Sequence, residues 1–566
     1  MRKNFSTPSG DDKIVPFEKA KKFYGKLIDE RADKGDLVGA ITVAFSSLKN
    51  DYSADTLGDI ADIYADMGEY ELSDEFWYKY LSVSADDKKS VAYEELAINA
   101  FECKNYALAA YYLDKKIAID GALDRKDLGR EMLEFLSDGL NKKDLYKIVY
   151  PENKSDYSTD ITVAKNAAAS GNFEGAAKIL EGVPNASPSY KEAAEELSLC
   201  YFALGKIKEA IDINRELAKD SGSVSVYSNL SSMYRAEKDY DKSAYYYSLA
   251  KSMPIDENDE FKFALCAVEQ NDHETAAKML KKVITDDFYD PKIICFYGIA
   301  LFNTGNPEKA ESEIKKAYMI NPRDPYLKYL VRLVSAANES GNTDGLYPLS
   351  YEPELPKKEI AKRLKTLNIA AATPLKLKAE EKKNLNDYIA WGLRSSDSEF
   401  KASVTAIFSD FNNEKEEIVC DALLSCDVSP HLKQTLIFML LLNGYKKRVY
   451  VSSGGVFFTF KPRKLPCEEI GDPFFLAYCT AISKMAFSGE NMDKIAFSVN
   501  ELYKKFKDAE VIKLLSKDEL AAAAVVGAGY ETFSKPEFIY GIFGVKKEKM
   551  DTVIKTLGVD GNGKNN

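Results

Sequence analysis

Residues Pro291 to Arg323 read PKIICFYGIALFNTGNPEKAESEIKKAYMINPR, two helical patterns joined by a tight turn at Gly305-Asn306-Pro307. Pro291 stands where proline suits a helix start, and Pro322 stands where the second helix must end. Gly298, Ala310 and Ala317 are small residues on the faces the two helices turn toward each other, as a close crossing requires. A pair of this size cannot bury its own apolar face, so it calls for neighbours of the same kind.

Those neighbours are in the sequence. The same turn recurs at Gly35-Asp36-Leu37, Gly68-Glu69-Tyr70, Lys104-Asn105-Tyr106, Gly171-Asn172-Phe173, Gly205-Lys206-Ile207, Lys238-Asp239-Tyr240 and Asn271-Asp272-His273. Successive turns lie 33, 36, 67, 34, 33, 33 and 34 residues apart, and the 67 leaves room for one divergent repeat between Leu123 and Asp156. In phase with the turns, a small residue of the second helix recurs at Ala40, Ser73, Ala109, Ala176, Ala210, Ser243, Ala276 and Ala310. A large apolar residue of the first helix recurs at Leu27, Ile60, Leu96, Val163, Leu197, Leu230, Phe263 and Tyr297, with aromatics at Tyr64, Tyr201 and Tyr234. A period near 34 residues with these residue types resembles the tetratricopeptide-repeat (TPR) family over about residues 21–340. His273 and Pro307 depart from it at a site where an aromatic is usual.

The resemblance implies an all-α fold, an α-solenoid of about eight or nine helical hairpins. It also implies a concave surface lined by the first helix of each pair, where the family holds protein or peptide segments. The family's inward-facing positions carry over to Asp29, Asp33, Asp55, Asp62, Asp66, Glu94 and Glu102 in the early repeats. In the later repeats they give Leu199, Phe202, Phe261, Leu265, Val268, Ile299 and Phe302. The expected groove is acidic first and apolar later, fitting a partner basic at one end and apolar at the other. The lysines by which some members grip a chaperone's C-terminal carboxylate are absent, since Asp and Glu stand in their places.

Composition narrows the function classes. The net charge of −12 opposes general nucleic-acid affinity, which needs a basic surface. No apolar run approaches the ~18 residues of a membrane span, and no secretory leader opens the chain. The eight cysteines are scattered singly with no CxxC pair, as packed thiols of a cytoplasmic protein would be. Two histidines, His273 and His431, lack a partner pattern, and no nucleophile, nucleotide-loop or metalloprotease motif occurs. The reading is therefore a non-enzymatic protein that needs no cofactor.

After the repeats, Gly341 to Glu359 is rich in Gly, Pro and Asp, and residues 341–375 read as a linker. Amphipathic helices then follow at Glu380–Leu393, Asp397–Phe411, Glu414–Ser425 and Pro430–Asn443, loosely HEAT-like. Arg448–Val451 and Val456–Phe460 flank a Gly454-Gly455 turn as a β-hairpin, which completes a region spanning 376–463. Residues 464–557 read as a helical domain whose end, Ser534 to Leu557, looks like a helix-turn-helix preceded by a helix at Ala521–Tyr530. Lys546, Lys547, Lys549 and Lys555 would be its DNA contacts, although Glu548 and Asp551 interrupt them. Residues 1–20 and 558–566 read as disordered ends. Three functions stay open: an adaptor holding a protein segment, a regulator whose C-terminal end contacts DNA, and a self-assembling repeat protein.

Overall fold

The computed structural model describes residues 17–121, 157–352 and 355–559, apart from 104, 170–172, 286–287, 342–347, 373–376, 396–397, 408–412, 467–470 and 530–535. It divides into two compact units, Met1–Glu354 and Leu355–Asn566. The divergent repeat expected between Leu123 and Asp156 lies outside the described residues.

The first unit is a series of antiparallel helix pairs. They are α1 (Phe17–Ala32) with α2 (Leu37–Leu48), α3 (Ala54–Asp66) with α4 (Tyr70–Val83), and α5 (Lys89–Glu102) with α6 (Tyr106–Asp120). Next come α7 (Ser158–Ala169) with α8 (Phe173–Glu181), α9 (Tyr190–Ala203) with α10 (Ile207–Ser221), and α11 (Val224–Ala236) with α12 (Tyr240–Ser252). Then α13 (Glu257–Glu269) pairs with α14 (His273–Val283), α15 (Pro291–Asn303) with α16 (Pro307–Ile320), and α17 (Pro325–Ser340) follows. This is the all-α repeat solenoid that the period implied.

The recurring turn has one backbone reason. Gly35, Gly68, Gly205 and Gly305 all take φ between 74° and 79°, and Lys238 and Asn271 at the equivalent places are, among the described residues, the two non-glycine residues with positive φ. At each, the residue after the turn donates its amide five residues back, as in Asp36 N to Arg31 O at 2.9 Å and Asn306 N to Leu301 O at 2.9 Å. This left-handed closure satisfies the last carbonyls of the first helix. Asp36, Asn105, Asp239 and Asp272 then cap the second helix with their side chains. Left-handed backbone costs an ordinary residue about 1–2 kcal/mol. Lys238 is exposed, so Lys238→Gly should raise stability by about 0.5–1 kcal/mol in urea titration, after the greater unfolded freedom of glycine is deducted.

Packing explains the small residues. Ala40, Ser73, Ala109, Ala176, Ala210, Ser243, Ala276 and Ala310 are all at 0% exposure, sealed at the crossing of each pair. A Cβ on Gly298 would come within 2.6 Å of Ile314 Cγ1. Of the large residues, Ile60, Leu96, Leu230 and Phe263 are fully buried, whereas Val163 stands exposed.

Nearest-neighbour stacking is not all that holds this unit. An early and a late repeat meet, with α2 packed on α16. Tyr64 on α3 donates its hydroxyl to the Ile320 carbonyl at 2.7 Å. Glu75 on α4 pairs with Lys79 at 3.0 Å and with Arg323 from the α16–α17 turn. The Arg323 guanidinium also lies over the Phe76 ring at 5.0 Å. Glu75 and Lys79 are almost wholly buried.

The second unit contains α18 (Lys357–Ala372), α19 (Ala379–Arg394), α20 (Ser398–Ile407), α21 (Asn413–Leu424) and α22 (Pro430–Leu442). A hairpin of β1 (Val449–Ser453) and β2 (Val456–Phe460) follows, with Val449 opposite Phe460. Val449, Val451 and Phe460 enter the same core as the helices, which gives a lone hairpin its support. After it come α23 (Pro473–Met485), α24 (Met492–Phe506), α25 (Lys517–Ala528), α26 (Pro536–Phe543) and α27 (Lys547–Leu557). Leu520 to Val526 on α25 are buried without interruption, so α25 is the central helix of this core.

One expectation needs correction. The stretch read as a linker, 341–375, holds the sixteen-residue helix α18. Its front end is rich in Pro and Gly, but KKEIAKRLKTLNIAAA is made of good helix formers. Before it, Leu349 and Tyr351 are buried in the first unit.

Candidate functional site

The first helices of successive pairs bring polar groups together on one face. On α3, Asp62 and Asp66 lie one helical turn apart and face Glu95 on α5, with Asp59 beside them. Asp62 is open to water yet surrounded by protein, and that burial followed by repulsion from Asp59 and Asp66 pushes its carboxyl up to about 6. Burial and then repulsion from Asp62, Glu94 and Asp66 push Glu95 up to about 7, against the attraction of Lys116. Asp66 is also raised by burial. These carboxylates repel one another at neutral pH.

The other acidic residues expected in the groove fall into two groups. Asp29, Asp33, Asp55 and Glu102 are exposed, while Glu94 is half-buried and bound to Lys116 at 3.1 Å. Glu95, which the sequence reading missed, is central because it sits one residue along from Glu94 and points across to α3. The only sequence signal was the Glu94-Glu95 doublet.

The later repeats differ from expectation. Val268, Ile299 and Phe302 are buried and line no open surface. Ten of the thirteen residues of α15 are buried, so that helix has no free face for Ile299 and Phe302 to present. Leu199, Phe202 and Leu265 are half-buried and Phe261 is exposed. Between them runs a polar chain instead of an apolar strip. Lys165 on α7 bonds Glu192 at 2.7 Å and reaches Glu196 at 3.4 Å on α9. Ser225 on α11 donates to Glu195 at 2.8 Å and accepts from Lys262 on α13 at 2.6 Å. Burial lowers the pKa of Lys262, opposed by Glu195, Glu196 and Asp259. Ser232 bonds Glu269 one step further.

In the second unit, α26 and α27 follow one another in the chain with Gly544 between them. Two of the four lysines of the helix-turn-helix reading are engaged within the unit: Lys547 pairs with Glu537 at 2.7 Å and Lys549 with the buried Glu519. Met550, Val553 and Leu557 turn one face of α27 into the core. Among the described residues no group of three or more His, Cys, Asp or Glu is placed to hold a metal ion. No described helix is long and apolar enough to cross a membrane.

Two tetratricopeptide-repeat family models match the sequence, over residues 164–224 and 291–324. The second match coincides with α15 and α16, whose turn and crossing set the period. The chain carries tetratricopeptide repeats at these two places. Among curated proteins, none matches it significantly. Among solved structures, the chain is similar to the C-terminal part of a TPR repeat-containing protein from Cytophaga hutchinsonii, with 16% identity and a TM-score of 0.25, over 46% of this chain and 98% of that one. It is likewise similar to yeast Tom70, with 15% identity and a TM-score of 0.23, over 74% of this chain and 94% of that one.

Proposed function

We propose that this protein is a non-enzymatic adaptor that seats a protein segment along the first helices of its repeats, with a basic stretch of that segment on the acidic patch of α3 and α5. The observation that carries the reading is the convergence of Asp62, Asp66 and Glu95. Crowded like charges are held at a cost that a cationic partner would relieve, and complementary charge steers association and fixes orientation. The polar chain from Lys165 to Glu269 supports a partner whose remaining contacts are hydrogen bonds, in place of the apolar stretch expected from the sequence.

Binding of a fluorescent octalysine peptide at low salt tests this. Asp62→Lys/Glu95→Lys should weaken binding at least about tenfold, equivalent to ~1.4 kcal/mol. Binding by the unmodified protein should also weaken as pH falls from 8 to 6, because Asp62 at about 6 and Glu95 at about 7 then take up protons and lose the charge that attracts the peptide. Equal binding by the double variant, or a flat pH response, would remove the acidic patch from the function.

A further inference from the structure

The buried asparagine at the end of α15 has an unusual task. Asn303 is 4% exposed, and its side-chain amide is spent on the main chain of a segment outside the repeats. Its Nδ2 donates to the Leu349 carbonyl at 2.9 Å, and its Oδ1 accepts from the Leu349 amide at 2.7 Å. Tyr326 at the start of α17 donates its hydroxyl to the Ser350 carbonyl at 3.2 Å. Tyr351 stacks at a tilt on His273, 5.6 Å between ring centres, and meets the Phe296 ring edge-on at 6.2 Å. Its hydroxyl lies 3.0 Å from His273 Nδ1.

The segment has the burial pattern of a strand. Leu349 and Tyr351 are buried, and Ser350 between them is exposed. Alternate side chains of an extended chain point to opposite sides, so Leu349 and Tyr351 enter the repeats together. Main-chain hydrogen bonds combined with pockets for alternate side chains are how a surface reads an extended peptide. A buried amide left without partners is costly, so Asn303, Tyr326, Phe296 and His273 form a site that needs a peptide backbone in place.

We propose that α14, α15 and α17 carry a second peptide-binding site, taking an extended segment with an aliphatic residue followed two places on by a tyrosine, and that Leu349–Tyr351 occupies it in cis as a displaceable internal ligand. A partner bearing the same pattern competes with the chain's own segment. Among the described residues the contacts named above come from Leu349, Ser350 and Tyr351, and a short segment held by side chains rather than by a sheet opens at lower free energy than the helices beneath it. The site is separate from the acidic patch and stands or falls without it.

The test uses the full chain and a fluorescent peptide of residues 347–353, YPLSYEP. The variant Leu349→Ala/Tyr351→Ala removes the two side chains that anchor the internal segment and should bind the peptide at least about tenfold more tightly than the unmodified protein, because the internal competitor is weakened. Adding Asn303→Ala should abolish that gain, and a peptide with Leu and Tyr made adjacent should fail to bind. Equal binding by the unmodified protein and the opened variant, or no binding by an opened variant that keeps its helical circular dichroism, overturns the proposal. Where the opened variant does not fold, hydrogen exchange on the unmodified protein decides. The Leu349 amide should exchange at least about 100-fold faster than the buried amides of α15. Exchange at the α15 rate would make the segment a fixed part of the fold and end the idea.

Discussion

Replacing Glu75 by alanine should lower the stability of the first unit by about 3–5 kcal/mol, because it removes a buried carboxylate that pairs with both Lys79 and Arg323. Glu75 and Lys79 are 2% and 3% exposed, and Arg323 reaches them from a distant repeat. The loss includes the penalty of leaving buried charge less well compensated and exceeds the worth of the pairs themselves. Changing Glu75→Leu, Lys79→Met and Arg323→Met together should therefore cost far less than Glu75→Ala alone. Trp77 lies two residues from Glu75, and the other tryptophan, Trp391, is in the second unit. In a Trp391→Phe background, Trp77 fluorescence in a urea titration reports the first unit alone. A Glu75→Ala loss under about 1 kcal/mol would mean the cluster is open to water, as at a surface ion pair.

The other large effect concerns the helix crossings. Gly298→Leu should destabilise by about 3 kcal/mol, even though leucine is intrinsically the better helix former by ~0.8–1 kcal/mol. The obstacle is steric, since the new Cβ would sit 2.6 Å from Ile314 Cγ1 and 3.3 Å from the Ala310 carbonyl oxygen. Gly298→Leu/Ile314→Ala should regain much of the loss, giving a strong coupling in a double-mutant cycle. Gly25 on α1 supplies the contrast, with nothing within 4 Å of an added Cβ. Gly25→Leu should be neutral or slightly stabilising. Equal effects at the two glycines would show that crossing distance does not limit these repeats.

The repeats were legible because each carries two local constraints that leave a residue signature. Gly35, Gly68, Gly205 and Gly305 mark the left-handed turn, and Ala40 through Ala310 mark the crossing, so period and phase could be read without any long-range information. The hairpin at Gly454-Gly455 was legible for the same reason. The candidate site was legible only in its acidic part. Asp62 and Asp66 follow from position in the repeat, but Glu95 joins them through the packing of α5 on α3. Val268, Ile299 and Phe302 were misread because family position says which way a residue points, not what later covers it. Nothing in a period of 34 residues foretells that Leu349 and Tyr351 return to α15. The long-range ion cluster was hidden for a like reason, since Glu75 and Arg323 carry ordinary charges until the fold joins them.

That junction also sets an order of events. Repeat arrays fold by adding neighbours, so the first pairs could consolidate soon after they emerge during synthesis. Here Tyr64 waits for a carbonyl 256 residues downstream, and Glu75 for a guanidinium 248 residues downstream. At the ~5–20 residues per second of translation, the early helices spend on the order of ten seconds or more with a charged pair and a tyrosine hydroxyl awaiting their final partners. The early pairs therefore reach their finished state only once residues 320–323 have been made, although they are made first.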